Sequence, residues 1–110
     1  MIRVYLAGPM SGRPAFNRRG FEEAAYAARM RGFEPINPHE VDPSHDGPCP
    51  LGPTMVYRGQ EHPYGCWLKA ALRLMLTCEA VLMLPLWHMS TGATLEHQVA
   101  QACSMPIDYL

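Results

Sequence analysis

The run Ala80–Leu84 constrains the fold of this chain more than any other segment. Its five residues are all apolar, as expected of a strand that is buried on both faces. A second short and mostly apolar run, Ile2–Ala7, ends at a Gly-Pro pair, which is typical of a buried strand that enters a loop. Strands of this kind predict a sheet with helices on each face.

Segments with helical spacing alternate with these strands. Apolar residues recur every three or four positions between Asn17, a candidate N-cap, and Gly32, a candidate left-handed C-cap. The further predicted elements are strands over Phe33–Asn37 and Pro106–Leu110 and helices over Trp67–Met75 and about Thr94–Cys103. The order β-α-β-loop-α-β-α-β predicts a mostly parallel sheet covered on both faces. The length of 110 residues predicts a single domain over 1–110.

The segment Val41–Gly65 differs in composition, with five prolines, four glycines and no apolar periodicity. A loop of this length inside a small domain is often a functional lid. His45, Cys49 and His62, together with Cys66, are potential zinc ligands, but their spacing fits no paired-ligand pattern. We therefore interpret 41–65 as a lid, and we expect no metal and no cofactor.

Charge and hydropathy argue against two classes of partner. The net charge of −1 gives no reason to expect nucleic-acid binding; six of nine basic side chains lie in the first 31 residues, where they either meet a phosphate or form a solvated helix face. No stretch approaches the ~20 apolar residues of a membrane span, and the N-terminal run is too short for a signal peptide. We therefore expect a cytoplasmic protein with reduced cysteines, of which Cys78 and Cys103 belong to the core.

Two turns have the composition of ligand-binding loops. In parallel sheets, ligands bind where strand-to-helix turns meet at the carboxyl ends of the strands. The first turn, after strand one, is Gly8-Pro9-Met10-Ser11-Gly12-Arg13. Its glycines allow backbone N–H groups to approach an anion, and its serine and arginine add donors. The turn matches neither the Walker pattern nor the dinucleotide fingerprint.

The second turn, Ser90-Thr91-Gly92, lies where a helix begins, so its hydroxyls and unpaired N–H groups can face a phosphate. Glu96 follows within about one helical turn. An acid at this position also offsets the helix dipole without any ligand. Its place beside an anion-type turn, facing the tyrosine of the first strand, favours a functional role.

Several blocks of sequence carry a resemblance to a known family. They are YLAGPMSG at 5–12, FN at 16–17, NP at 37–38, CEAVLMLPLWHMSTGATLE at 78–96 and MPI at 105–107. Their order and spacing resemble the nucleoside 2-deoxyribosyltransferase superfamily, and most of all its small phage and bacterial members of the DUF4406 type. Better-known relatives are 2-deoxyribosyltransferases and 2'-deoxynucleoside 5'-monophosphate N-glycosidases. The resemblance implies a flavodoxin- or Rossmann-like three-layer sandwich and a homodimer.

The resemblance also implies roles for individual residues. The nucleophilic glutamate of the family falls on Glu96, the tyrosine beside it on Tyr5, and the serine that helps to hold the 5'-phosphate on Ser90. The remaining positions expected at the substrate are Gly8, Pro9, Ser11, Gly12, Arg13, His39 and Gly92. We expect the helix N-terminus to keep Glu96 ionised and its side chain to face solvent in the cleft.

The expected function is hydrolysis of the N-glycosidic bond of a 2'-deoxynucleoside 5'-monophosphate. One alternative is a nucleotide-binding protein with little or no turnover, which is favoured by Ala71, because the better-known relatives have an aspartate there. Another alternative is 2-deoxyribosyl transfer between bases. If the chain is a hydrolase despite Ala71, a different acid protonates the leaving base. The candidates are Asp42, Asp46, Glu61, His39 and a group of a partner subunit.

Overall fold

The computed structural model describes residues 1–40, 43 and 47–110. Its strands are β1 (Arg3–Ala7), β2 (Glu34–Ile36), β3 (Thr54–Tyr57), β4 (Gln60–Pro63), β5 (Ala80–Met83) and β6 (Ile107–Tyr109). Its α-helices are α1 (Arg18–Met30), α2 (Tyr64–Leu76) and α3 (Thr91–Ala102). Within these described residues, no helix is both long and apolar enough to cross a membrane.

Four strands form a parallel sheet in the order β2-β1-β5-β6. Strand β2 lies on one side of β1, and β5 lies on the other side. The direction in which successive strands are added to the sheet therefore reverses between β1 and β5. Ala7 pairs with Met83, which brings the carboxyl ends of these two strands level. Crevices at such a reversal are where ligands bind in open parallel sheets.

The alternation of side chains along β1 separates two hydrophobic layers. Val4 and Leu6 pack on the α1 side of the sheet, whereas Tyr5 and Ala7 pack on the side of α2 and α3. The helix side chains that complete these layers are Phe21, Ala24, Ala25 and Ala28 of α1, Met75 of α2, and Ala93 and Ala100 of α3. The predicted three-layer sandwich of the flavodoxin or Rossmann type, with a parallel sheet, is therefore confirmed.

The interpretation of 41–65 as a structureless loop is wrong for its second half. β3 and β4 form an antiparallel hairpin, and α2 begins at Tyr64. The hairpin turn is Arg58-Gly59, where both φ angles are positive, at 54° and 76°, as tight hairpin turns require. The hairpin buries little except Tyr57 and Pro63, so its sequence lacks the alternation that identifies a strand. Val41, Asp42, Ser44, His45 and Asp46 lie outside the described residues.

Three smaller predictions also need correction. Helix α3 begins at Thr91 rather than near Thr94, which places Glu96 in its second turn. Asn17 occupies the N-cap position of α1, but its backbone is left-handed and its side chain makes no capping hydrogen bond. Cys78 is buried as expected, whereas Cys103 is exposed because it lies just past the end of α3.

Candidate functional site

The hydroxyl of Tyr5 donates a hydrogen bond to Oε2 of Glu96. Tyr5 is in the middle of β1, and Glu96 is on the second turn of α3. Both residues are buried, with 1% of Tyr5 and 6% of Glu96 exposed. The side chain of Tyr5 points toward α3 because alternate residues of β1 face opposite layers. The structure thus joins the two residues that the resemblance placed side by side.

Burial decides the protonation of Glu96. It raises the pKa of the carboxyl from its usual 4.5 to about 7, although the hydrogen bond from Tyr5 lowers it. Burial and the charge of Glu96 in turn raise the pKa of Tyr5 well above its usual value. The expectation of a solvent-facing glutamate is therefore wrong, since Glu96 is buried, and the helix N-terminus does not keep its pKa low. The carboxyl lies beyond the first helical turn, where the dipole is weak, and near neutral pH it exists in both protonation states.

A pocket with a volume of about 100 Å³ opens beside this pair at the carboxyl edge of the sheet. One water molecule needs only ~10–15 Å³ of such space, so the pocket accommodates part of a small ligand. The loop after β1 and the start of α3 contribute Gly8, Ser11, Ser90 and Gly92. Aromatic side chains contribute the facing wall, and these are Phe16, Tyr57, Tyr64 and Trp67.

The β3–β4 hairpin and α2 build most of the aromatic wall, and the segment just before α1 adds Phe16. Tyr57 packs edge-to-face against Phe16 at 4.7 Å and against Trp67 at 5.6 Å between ring centroids. The indole N–H of Trp67 donates to the carbonyl of Met55 at 3.2 Å, which fixes the ring. The sequence did not identify Tyr57, Tyr64 and Trp67 as pocket residues, because the composition of 41–65 predicts a loop and the spacing assigns Trp67 only to a helix. The clustering of aromatic residues around the Arg58-Gly59 turn was the signal available in the sequence.

The start of α3 is arranged around Ser90. Its Oγ accepts a hydrogen bond from the N–H of Ala93 at 3.2 Å, so it is an N-cap. The hydroxyl hydrogen remains able to donate to an anion, and the first N–H groups of the helix have no intrahelical acceptor. A Cβ at Gly92 would lie 2.9 Å from Oη of Tyr64. Glycine at 92 therefore lets the Tyr64 hydroxyl reach the helix start.

The glycines of the loop after β1 have structural explanations. A Cβ at Gly8 would lie 2.7 Å from Cβ of Leu84, so this glycine allows the ends of β1 and β5 to approach each other. Gly12 has a φ of 75°, which favours glycine. Among the described residues of this loop, Gly8, Met10 and Ser11 line the pocket, whereas Pro9, Gly12 and Arg13 do not.

Comparison with known families identifies the chain. A family model described as "Domain of unknown function (DUF4406)" matches residues 2–109, which is nearly the whole sequence. The chain belongs to the DUF4406 family. No curated protein and no solved structure matches it significantly. The wider link of this DUF4406 domain to the deoxyribosyltransferases remains a prediction.

His39 of the DUF4406 domain lies behind the pocket rather than in it. The residue is 2% exposed, and its Nδ1 shares a hydrogen bond with the hydroxyl of Tyr57, which does line the pocket. Burial, followed by the positive charge of Arg18, lowers the pKa of the imidazole, so the ring is neutral at neutral pH. His39 was expected at the substrate, but it is not among the described residues that line the pocket. Its side chain instead positions Tyr57.

Ala71 lines the pocket of the DUF4406 domain with a methyl group. Among the described residues that line the pocket, Glu96 is the one carboxylate. Glu61, a candidate for the missing acid, does not line the described pocket; it is exposed and accepts a hydrogen bond from Thr54. Besides Tyr5, the pocket holds the hydroxyl of Tyr64, whose pKa is raised by burial and by the charge of Glu96.

A second group of side chains lies apart from this pocket. Sγ of Cys49, a ring nitrogen of His62 and Sγ of Cys66 all lie within 4.8 Å of one another. His45, the fourth potential ligand named from the sequence, lies outside the described residues. The spacing in the sequence does not reveal this proximity, because the fold of the hairpin brings together residues that are separated by 13 and 4 positions.

Proposed function

We propose that this DUF4406 domain binds a 2'-deoxynucleoside 5'-monophosphate and hydrolyses its N-glycosidic bond, with Glu96 as the nucleophile. The observation that carries the proposal is the buried Tyr5–Glu96 hydrogen bond beside a pocket with an aromatic wall. A buried carboxylate with a raised pKa in a cleft is typical of a functional site rather than of a surface helix.

The chemistry follows from the position of Glu96. Cleavage of the bond from C1' to the base nitrogen builds positive charge on the sugar, and a carboxylate stabilises that charge or traps it as an ester. In the first step an oxygen of Glu96 bonds to C1' while the bond to the base breaks, and the base takes up a proton. In the second step water attacks C1', the ester bond breaks, and Glu96 and a proton are released. The hydrogen bond from Tyr5 holds the carboxylate in place through both steps.

The two walls of the pocket suit the two ends of a nucleotide. Rings such as those of Phe16, Tyr57 and Trp67 stack with a base regardless of its identity. The N-cap hydroxyl of Ser90 and the first N–H groups of α3 suit a 5'-phosphate. The sugar would then lie between them, next to Glu96.

A nucleotide-binding protein without turnover is the second candidate, and Ala71 favours it. With an alanine there, the described pocket has no second carboxylate to protonate the leaving base. Within the described pocket, the proton for the leaving base would come from a hydroxyl such as that of Tyr64, or from water. If the domain is a hydrolase, we therefore expect slow turnover. If it only binds nucleotides, we expect no turnover.

The experiment that separates these functions uses a panel of deoxynucleoside monophosphates and the matching nucleosides. Chromatography measures release of free base, and calorimetry measures binding in the same samples. Release of free base supports hydrolysis, binding without release supports the second candidate, and exchange only when another base is added supports transfer. Absence of both binding and release across the panel would refute the proposal.

A further inference from the structure

We propose that Cys49, His62 and Cys66 bind a Zn²⁺ ion, at a site separate from the pocket that holds Glu96. The inference does not depend on the proposed activity, because none of the three residues lines that pocket in the described structure. It rests on the geometry of the three side chains and on the backbone contacts that bring them together.

The distances fit a tetrahedral metal. Sγ of Cys49 lies 3.7 Å from Nδ1 of His62, and all three ligand atoms lie within 4.8 Å of one another. A tetrahedral Zn²⁺ with bonds of about 2.0–2.3 Å holds sulfur and nitrogen ligands about 3.5–3.8 Å apart. One pair already has this separation, and small side-chain rotations bring the third ligand into range.

Packing of the backbone, rather than chance contact of long side chains, creates the cluster. Cys49 precedes β3, His62 is on β4 and Cys66 is in the first turn of α2. A Cβ at Gly65 would lie 3.3 Å from Cγ of Pro50, so glycine at 65 lets the loop lie close against the helix. The N–H of Tyr64 also donates to the carbonyl of Pro53 at 3.0 Å. Both contacts hold Cys49 next to Cys66.

The ligand chemistry and burial favour zinc. Two thiolates and an imidazole are borderline-soft ligands, which suit Zn²⁺ and suit Mg²⁺ or Ca²⁺ poorly. Cys66 is buried, His62 is half-buried and Cys49 is exposed, so a metal can enter from the Cys49 side. Three protein ligands leave a fourth position for water or for another donor.

A metal at this point would support the aromatic wall of the pocket. It would tie the loop, β4 and α2 together. Helix α2 carries Tyr64 and Trp67 to the pocket, and β3, which pairs with β4, carries Tyr57. The ring of His62 also packs edge-to-face against Trp67 at 5.7 Å between centroids. Zinc binding is therefore expected to stabilise the hairpin and to order the wall.

The test is metal analysis of the full chain, purified under reducing conditions and incubated with Zn²⁺. The result expected is about one Zn²⁺ per chain, with sharply reduced zinc in Cys49→Ser, and tetrahedral thiolate absorption after Co²⁺ replacement. Cys103→Ser is the matched control, because Cys103 is an exposed thiol at the end of α3, and it should keep its zinc. A chelator should lower the Tm of the parent and of Cys103→Ser but not that of Cys49→Ser.

Three results would overturn the site. The first is a parent protein that holds no zinc and gives no tetrahedral Co²⁺ spectrum. The second is zinc that Cys49→Ser retains in full. The third is a Cys49–Cys66 disulfide, found by mass spectrometry in reduced preparations, which would mean that the thiols pair with each other rather than with a metal. Because Cys49 is exposed, its replacement by serine leaves the core intact. The Co²⁺ spectrum is measured on the parent protein, so that part of the test does not depend on the folding of any variant.

Discussion

Tyr5 and Glu96 are 91 positions apart in the chain, yet the hydroxyl of one donates directly to the carboxylate of the other inside the protein. Strand β1 supplies the tyrosine, and helix α3 supplies the acid. The contact therefore forms only when the sheet and its α3 layer are assembled. A buried acid of this kind affects stability as well as chemistry, and both effects depend on pH.

The first prediction concerns stability and pH. Because folding raises the pKa of Glu96 from 4.5 to about 7, the folded state favours the protonated carboxyl. The stabilisation is present below pH 4.5 and is lost as the pH rises through about 7. The difference in unfolding free energy between Glu96→Gln and the parent should therefore grow in favour of glutamine from pH 4.5 to 7. The total change should be roughly 3 kcal/mol.

Urea unfolding at several pH values measures this difference, and the glutamine variant cancels the contributions of the other titrating groups. A difference that stays constant from pH 5 to 8 would mean that Glu96 is not desolvated in the folded protein. A change of the opposite sign would mean that the folded state prefers the ionised carboxylate.

The second prediction isolates the contribution of Tyr5. The hydrogen bond from Tyr5 lowers the pKa of Glu96, so Tyr5→Phe should raise that pKa above about 7 and move any carboxylate-dependent activity to higher pH. NMR titration of ¹³C-labelled glutamate carboxyls measures the pKa directly. Tyr26→Phe is the control, because Tyr26 is exposed on α1, and it should leave the titration unchanged. An identical Glu96 titration in Tyr5→Phe would show that the hydrogen bond has no electrostatic role.

The sequence made the sheet and the Tyr5–Glu96 pair predictable for different reasons. Within Ala80–Leu84 the residues from Val81 onward are buried, and this burial is visible in the sequence as an unbroken apolar run. The pairing of Tyr5 with Glu96 came from resemblance, since no local pattern links residues so far apart. Protonation of Glu96 was not predictable, because it depends on burial by elements distant in the chain. The hairpin Thr54–Pro63 was hidden because it buries only Tyr57 and Pro63 and leaves its other residues exposed or half-buried.

The third prediction concerns the phosphate. If the Ser90 hydroxyl donates to a 5'-phosphate while it caps α3, Ser90→Ala should weaken binding of a deoxynucleoside monophosphate by roughly tenfold or more, because a hydrogen bond to a charged group is lost. Binding of the matching nucleoside should change far less, and the lost cap should cost about 1 kcal/mol of stability. Calorimetry with both ligands measures the two effects. Equal weakening for both ligands would assign Ser90 to the cap alone.

The fourth prediction tests the role of Glu96 as nucleophile. Glu96→Gln keeps an oxygen that accepts from Tyr5, and it adds no volume to the pocket. It should therefore bind a deoxynucleoside monophosphate about as well as the parent. An amide is a poor nucleophile, however, so the variant should lose release of the base by several orders of magnitude.

The most direct test of the account is a single-turnover measurement of base release with the parent and Glu96→Gln side by side, on the monophosphate that binds best. We predict free base and deoxyribose 5-phosphate from the parent, increasing as the pH rises through about 7, and no detectable base from the glutamine variant. Equal rates of base release from both proteins would contradict the assignment of Glu96 as the nucleophile.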